Sequence, residues 1–294
     1  MRAIEFRQFG DPSQLHLVER SDPHASDSTA IVRVAAASVN PSDVKNVAGG
    51  MPQTKLPRIP GRDYSGVVIE GPAEWMGAAV WGTGGDVGFT RDGTHAELIE
   101  VPRASLVRKP EKLTHEEAAS AGVTFLTAWI GVIEYAKLSA GETLAVIGAG
   151  GVGSAAIQLA KYRGVRAIAI HRGADTSEIK ADVVLNTVGG EMFETALKMA
   201  AHRGRAVVIS PGTQPRVSFE LVAFYRKELQ LFGVDSLHRG LTDAAETLRE
   251  LTAAFDAGAL LPPRLGEVLP LEQAQEAYRL VAAGSNGRVV LKPF

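Results

Sequence analysis

Over its first hundred residues the chain alternates short apolar runs with turn residues. Ala30-Ile31-Val32-Arg33-Val34, Gly66-Val67-Val68-Ile69-Glu70 and His95-Ala96-Glu97-Leu98-Ile99-Glu100-Val101 are the clearest runs, and Gly49-Gly50, Pro57, Pro60-Gly61 and Gly84-Gly85 punctuate them. Such runs bounded by Gly and Pro predict a mostly antiparallel, barrel-like β domain. The pattern changes near residue 114. Thr114-His115-Glu116-Glu117 reads as a capping box opening an Ala-rich helix. From there strands alternate with helices: Leu144 to Ile147, a helix over Ser154 to Arg163, Val165 to Ile170, Val183 to Leu185, a helix over Glu191 to Ala201, and Ala206 to Ile209. Alternation of that kind predicts an α/β unit with a doubly wound parallel sheet. After Leu260-Leu261-Pro262-Pro263 short strands return around one helix, Glu272 to Ala283. The expected domains are therefore 1–115 completed by 262–294, and 116–261.

Composition narrows the chemistry. The 294 residues are 45% hydrophobic and 22% charged, with 31 Lys+Arg against 33 Asp+Glu. A formal net charge of −2 gives no electrostatic reason to expect nucleic acid or an anionic membrane surface. The uncharged stretch Ala118 to Ile133 is short for a bilayer and reads as a buried helix, and the expected location is the cytosol. There is no cysteine, which removes disulfides, thiolate nucleophiles and sulfur-based metal sites. No two of the seven histidines stand three to five residues apart, so no metal is expected.

Gly148-Ala149-Gly150-Gly151-Val152-Gly153 fits G-x-G-x-x-G, placed between an expected strand and an expected helix. In that setting Gly148, Gly150, Gly151, Val152 and Gly153 predict a Rossmann-type dinucleotide turn, in which a pyrophosphate lies on free N–H groups at the helix N-terminus. A glycine-rich turn without a ligand is the alternative. The second strand ends Ile168-Ala169-Ile170-His171-Arg172, with no carboxylate for a ribose 2′-hydroxyl and an arginine suited to a 2′-phosphate. That favours NADP(H) over NAD(H), with His171 and Arg172 beside the adenosine. Only twelve residues, His171 to Asp182, precede the next strand. They cannot hold a helix, a third strand and a second crossover, so the third strand and its flanking helices are expected to be missing or collapsed into one short connection.

These residues together resemble the zinc-independent branch of the medium-chain dehydrogenase/reductase superfamily, the quinone oxidoreductase-like proteins. The marks run along nearly the whole chain: Asn40-Pro41-Ser42-Asp43, Gly61 to Gly66, Leu126-Thr127-Ala128-Trp129, Gly148 to Gly153, Asn186 to Gly190, Pro270-Leu271-Glu272 and Gly287 to Leu291. The resemblance implies a GroES-like β-barrel domain beside a Rossmann sheet. It also implies reduction of a quinone or an α,β-unsaturated carbonyl by NADPH in the cleft between the domains. Zinc-dependent relatives carry Cys at the position of Asn40 and Gly-His-Glu where this chain has Gly61-Arg62-Asp63. By the same resemblance Asn40 and Thr127 position the nicotinamide and the reacting carbonyl, and Asn186, Thr187, Val188, Phe232 and Gly233 line the cofactor. Lys45 and Tyr64 are the candidate proton donors: Lys45 especially if burial lowers its pKa, with an ordinary surface lysine as the other reading, and Tyr64 against core packing. Trp75, Trp81 and Phe89 are read as core before they are read as a substrate wall. A homodimer through Leu229 to Phe232 is expected. The competing readings are a non-catalytic nucleotide-binding protein and a methyltransferase, since glycine-rich turns also bind S-adenosylmethionine.

Overall fold

The computed structural model describes residues 1–171 and 173–294. Strands β1 (Arg2–Glu5) and β2 (His16–Glu19) form an antiparallel ribbon. Then come β3 (Thr29–Val39), α1 (Pro41–Val47), β4 (Asp63–Glu70), β5 (Ala79–Thr83) and β6 (Leu98–Pro102). Helix α2 (His115–Trp129) continues as a π-helical segment, Ile130–Tyr135. The alternating stretch follows as β7 (Thr143–Ile147), α3 (Gly151–Tyr162), β8 (Arg166–Ile170), β9 (Ala181–Asn186), α4 (Phe193–Met199), β10 (Ala200–Val208), α5 (Leu221–Arg226) and β11 (Gln230–Gly233). The chain closes with α6 (Leu241–Asp256), β12 (Leu265–Pro270), α7 (Ala274–Ala282) and β13 (Arg288–Lys292).

Two compact units result, Met1–Val123 with Leu237–Phe294, and Thr124–Ser236. In the first, a six-stranded sheet runs β12-β13-β3-β4-β5, and β6 also pairs with β3. The eleven residues of β3 make this possible: Thr29–Arg33 pair with β6, and Ala37–Val39 pair with β13. The last strand of the chain is thus built into the first domain. Alternate residues of these strands, Val32, Val34, Val68, Val80 and Val101 among them, form one buried cluster, as period-two patterning requires. Helix α7 puts Ala274, Ala277 and Tyr278 on one face, buried with Ile4, Phe6 and Leu15.

The expected boundaries shift for a reason of packing. Helix α6, expected in the second domain, buries Leu241 in the cluster of Val80 and Val87. The Trp81 indole N–H donates to Thr252 Oγ1 at 3.0 Å, and its ring meets Phe255 edge-on. The helix therefore belongs with β5. Trp81 and Phe89 are fully buried, and Trp75 packs half-buried on the same core. The predicted capping box forms at the start of α2: Glu117 N–H donates to Thr114 Oγ1 (3.2 Å) and Thr114 N–H to the Glu117 carboxylate (2.8 Å). With its π-helical extension α2 spans 21 residues, apolar enough by length and composition to cross a membrane, yet most of it is buried within the protein.

The second unit is a parallel sheet ordered β11-β10-β9-β7-β8. This is a doubly wound order with the third strand removed. The connection from β8 to β9 shrinks to residues 171–180, and β8 is left as an edge strand. Ile179 from that connection packs on the sheet's buried cluster with Ile147, Ile170 and Val184, covering part of the face a crossover helix would otherwise take.

Candidate active site

The register of the parallel sheet decides where a ligand can lie. Ile147 pairs with Ile170 on one side and Asn186 on the other; Asn186 pairs with Val208, and Val208 with Gly233. The carboxyl ends of five strands therefore finish in one row. Ligands of open α/β sheets bind outside that edge. The turn after Ile147 carries the glycines, and Gly148 adopts φ +88°, a left-handed conformation that side chains avoid. A Cβ on Gly153 would stand 2.0 Å from the Gly148 carbonyl oxygen, so only glycine lets α3 start this close to the strand. Gly150 is the N-cap of α3 with nothing within 4 Å of where a side chain would stand, and Ala149, Gly150 and Gly151 are exposed. The first amides of α3, on Gly151, Val152 and Gly153, have no helical acceptor. The turn thus offers free donors at an accessible helix start, and its residues fit a dinucleotide pyrophosphate.

The loop after β9 holds that turn in place. Thr187 Oγ1 donates toward the carbonyls of Ile147 and Gly148, both at 2.9 Å. Asn186 is buried with its amide spent locally: Nδ2 donates to the Gly189 carbonyl (2.8 Å), and Oδ1 accepts from the N–H groups of Val188 (3.0 Å) and Gly189 (2.9 Å). Asn186 and Thr187 therefore shape the pocket's backbone. At the far end of the row, Phe232 stands 6.3 Å from the Tyr135 ring. Phe232 and Gly233 border a cavity of about 180 Å³ walled by Phe193, Val208, Pro211 and Val217. His171 is exposed immediately after β8. Arg172, the residue expected at the 2′-phosphate, lies outside the described residues. Thr127 is buried on α2, three residues before the π-helical segment.

In the first unit, Asn40 caps α1 and is 1% exposed. Its Nδ2 donates to Asp63 Oδ2 (3.1 Å), its Oδ1 accepts from the Arg288 guanidinium, and its backbone N–H donates to Asp43 Oδ2 (2.8 Å). Asp63, fully buried, also accepts from Ser38 Oγ (3.2 Å) and from the Val123 N–H (3.0 Å), and faces Arg288 at 3.7 Å. Burial pushes the Asp43 carboxyl up to about 7, opposed by the bond from Asn40 and the field of Arg62. Behind them the Tyr278 hydroxyl meets His95 Nδ1 at 3.1 Å, and the other ring nitrogen of His95 lies 3.3 Å from the Ser38 carbonyl. Burial drives His95 down to about 4, so the ring is neutral.

The two candidate proton donors sit in opposite environments. Lys45 lies on the exposed side of α1, opposite the buried Asp43, Asn46 and Val47. Tyr64 is a core residue. Its ring is so close to Gly82 that a Cβ there would stand 2.4 Å from it, and its hydroxyl is buried without a hydrogen-bond partner among the described residues. Desolvation raises its pKa, in keeping with its core position. Sequence reasoning gave no role to Thr124, whose methyl backs Gly151, to Ser38 or to Arg288. Arg288 stood inside a quoted motif, but nothing local signals its partners.

The comparisons agree with this architecture. Residues 26–111 match the alcohol dehydrogenase GroES-like domain, and residues 156–291 match the zinc-binding dehydrogenase family. A zinc-type alcohol dehydrogenase-like protein of Schizosaccharomyces pombe is 37% identical over 284 residues, covering 87% of this chain and 86% of that protein. The chain belongs to the medium-chain dehydrogenase/reductase superfamily. Within that superfamily it resembles quinone oxidoreductases: the human enzyme is 27% identical over 329 aligned positions, covering 99% of this chain and 97% of that protein. That alignment is longer than the 294-residue chain and therefore contains gaps in it. A solved alcohol dehydrogenase superfamily protein from Novosphingobium aromaticivorans matches over the full length of both chains, with a TM-score of 0.90 and 27% identity. As a superfamily member the chain is an oxidoreductase fold with a nicotinamide-cofactor site and a GroES-like first domain.

Proposed function

We propose that the chain is an NADPH-dependent, zinc-free reductase of quinones or α,β-unsaturated carbonyls. The row of strand ends fronted by the exposed glycine turn is the observation that carries the cofactor half of this reading. Gly150 to Gly153 would hold the pyrophosphate, Val188 and Phe232 would flank the nicotinamide side, and His171 with Arg172 would meet the adenosine. A bound nicotinamide supplies the hydride. The protein's part is to orient the acceptor and keep its carbonyl polarised, and the buried Asn40 amide is the group for that task. Lys45, exposed on α1, remains the candidate proton source of the two.

Zinc does not fit these residues. The positions that hold metal ligands in zinc-dependent relatives carry an amide (Asn40), a guanidinium (Arg62) and a carboxylate (Asp63). The Arg62 Nε donates to the Gly84 carbonyl, and its guanidinium lies over Phe89. Among the described residues no three His, Asp or Glu side chains are grouped to hold an ion. A homodimer by edge pairing of β11 is supported by the exposed Leu231 on that strand.

The test is a titration with NADPH and with NADH followed by nicotinamide fluorescence, repeated with Arg172→Ala, then turnover with a simple quinone and a simple enone. NADPH binding that weakens in the variant, with turnover, is expected. Binding without turnover would favour a nucleotide-binding protein, a reading supported by the shortened β8–β9 connection and the core position of Tyr64. Failure to bind either cofactor would overturn both.

A further inference from the structure

Asn40 and Asp63 come from different elements, the cap of α1 and the start of β4, yet both converge on one cation from the last strand, Arg288. The Arg288 guanidinium donates to Asn40 Oδ1 and, at 2.7 Å, to Ser38 Oγ, and faces the Asp63 carboxylate at 3.7 Å. Asp63 in turn is pinned from its other side by the Val123 N–H, and a Cβ on Gly122 would stand 2.7 Å from its Oδ1. We infer that Arg288, paired with Asp63, is a positioning residue that locks the Asn40 amide in one orientation.

The chemistry of an amide makes the lock directional. Its oxygen must face the guanidinium and its nitrogen the carboxylate. Rotating it by half a turn would set N–H groups against a cation and a carbonyl against an anion, two buried repulsions at once. Nδ2 carries two protons, and one is taken by Asp63. The other has no partner among the described residues. The lock therefore fixes which way a single donor points. One terminal nitrogen, Nη2, divides its two protons between Asn40 Oδ1 and Ser38 Oγ in directions fixed by the guanidinium plane, whereas an ammonium is a freely rotating point charge. Arg288 Nε is buried and makes no hydrogen bond among the described residues, and the bonds of this guanidinium come from its terminal Nη2, on the side of Asn40 and Ser38.

This inference rests on Asn40 orienting the reacting carbonyl, and its test separates the two claims. In the full-length protein, the side-chain amide of Asn40 is followed by ¹⁵N-resolved NMR, assigned by its loss in Asn40→Ala. It is expected to be sharp and slow to exchange in the native protein, and to exchange roughly tenfold faster in Arg288→Gln, with the charge-preserving Arg288→Lys between them. In turnover with NADPH and a quinone, Arg288→Lys is expected to lower kcat about tenfold or more, with KM for NADPH little changed. In the Asn40→Ala background the same substitution is expected to cost nothing further. An Asn40 amide indifferent to both Arg288 substitutions, or an equal kcat loss in both backgrounds, overturns the inference. Should Arg288→Gln fail to fold, Arg288→Lys carries the comparison. A native protein that turns over no quinone or enone overturns the proposed function, while the amide measurement still decides the lock.

Discussion

Gly153 faces the carbonyl oxygen of Gly148 so closely that a methyl group on it would stand 2.0 Å away. The first turn of α3 leaves no room there for a side chain. Gly153→Ala must push the helix off the strand, with an expected cost of about 3 kcal/mol on the scale of core overpacking. Gly150→Ala meets nothing within 4 Å and is a control for function. It should hold its Tm while binding NADPH about tenfold more weakly, because the added methyl occupies space the pyrophosphate needs. Urea melts and fluorescence titration of the two variants check the pair.

Asp63 is the counter-charge of Arg288. Asp63→Asn keeps the shape and leaves the guanidinium buried without an anion, at an expected cost of about 3 kcal/mol. Adding Arg288→Met removes the orphaned cation and should recover part of that loss, which a double-mutant cycle on unfolding free energy measures directly.

The Tyr64 hydroxyl is buried with no partner among the described residues, an unfavourable arrangement that phenylalanine relieves. Tyr64→Phe should be neutral or stabilising by about 1 kcal/mol and leave turnover unchanged. Lys45→Ala, at an exposed helix position, should stay within about 0.5 kcal/mol of the native stability. Any fall in its kcat is then chemistry, which the pH profile of the variant would confirm.

Asp43 and His95 set opposite pH dependences. The folded state holds Asp43 protonated up to about 7 while the unfolded chain ionises near 3.8, so this group removes stability as pH rises between those values. The folded state holds His95 neutral down to about 4 while the unfolded chain takes up a proton below 6.5, so this group adds stability as pH rises from about 4 to 6.5. The two slopes oppose each other over the shared window. In Asp43→Asn only the histidine contribution survives. Its Tm should climb from pH 4 to 6.5 more steeply than that of the native protein, as calorimetry across that range will show.

Exhaustive dialysis against EDTA should leave both Tm and turnover unchanged. Loss of activity restored by zinc would overturn the zinc-free reading.

Much of this was legible along the chain. The strand, glycine turn and helix around residue 150 announce themselves by local pattern, and so does the Thr114–Glu117 box. The missing strand follows from counting residues, because a crossover has a minimum length. What escaped is long-range. Helix α6 carries Leu241, Leu248 and Phe255 on one stripe, but a stripe does not say which sheet it will cover. Arg288 lies in an ordinary apolar strand, and its partners Ser38 and Asn40 are 250 and 248 residues away. Lys45 and Tyr64 fit the donor role by residue type, whereas helix phase turns one outward and strand pairing buries the other.

The edge position of β8 bears on how such a domain can be resized. A parallel sheet can give up an outermost strand without tearing, because every remaining strand keeps a neighbour on the side where it was already paired. The seam left between Ile170 and Ala181 is accordingly a graft point. A crossover, strand and helix taken from a longer homologue would zip onto β8 along its free backbone groups, leaving the glycine turn and the rest of the row undisturbed. Pocket depth on the adenosine side then becomes a modular property, adjustable by splicing rather than by redesigning the core.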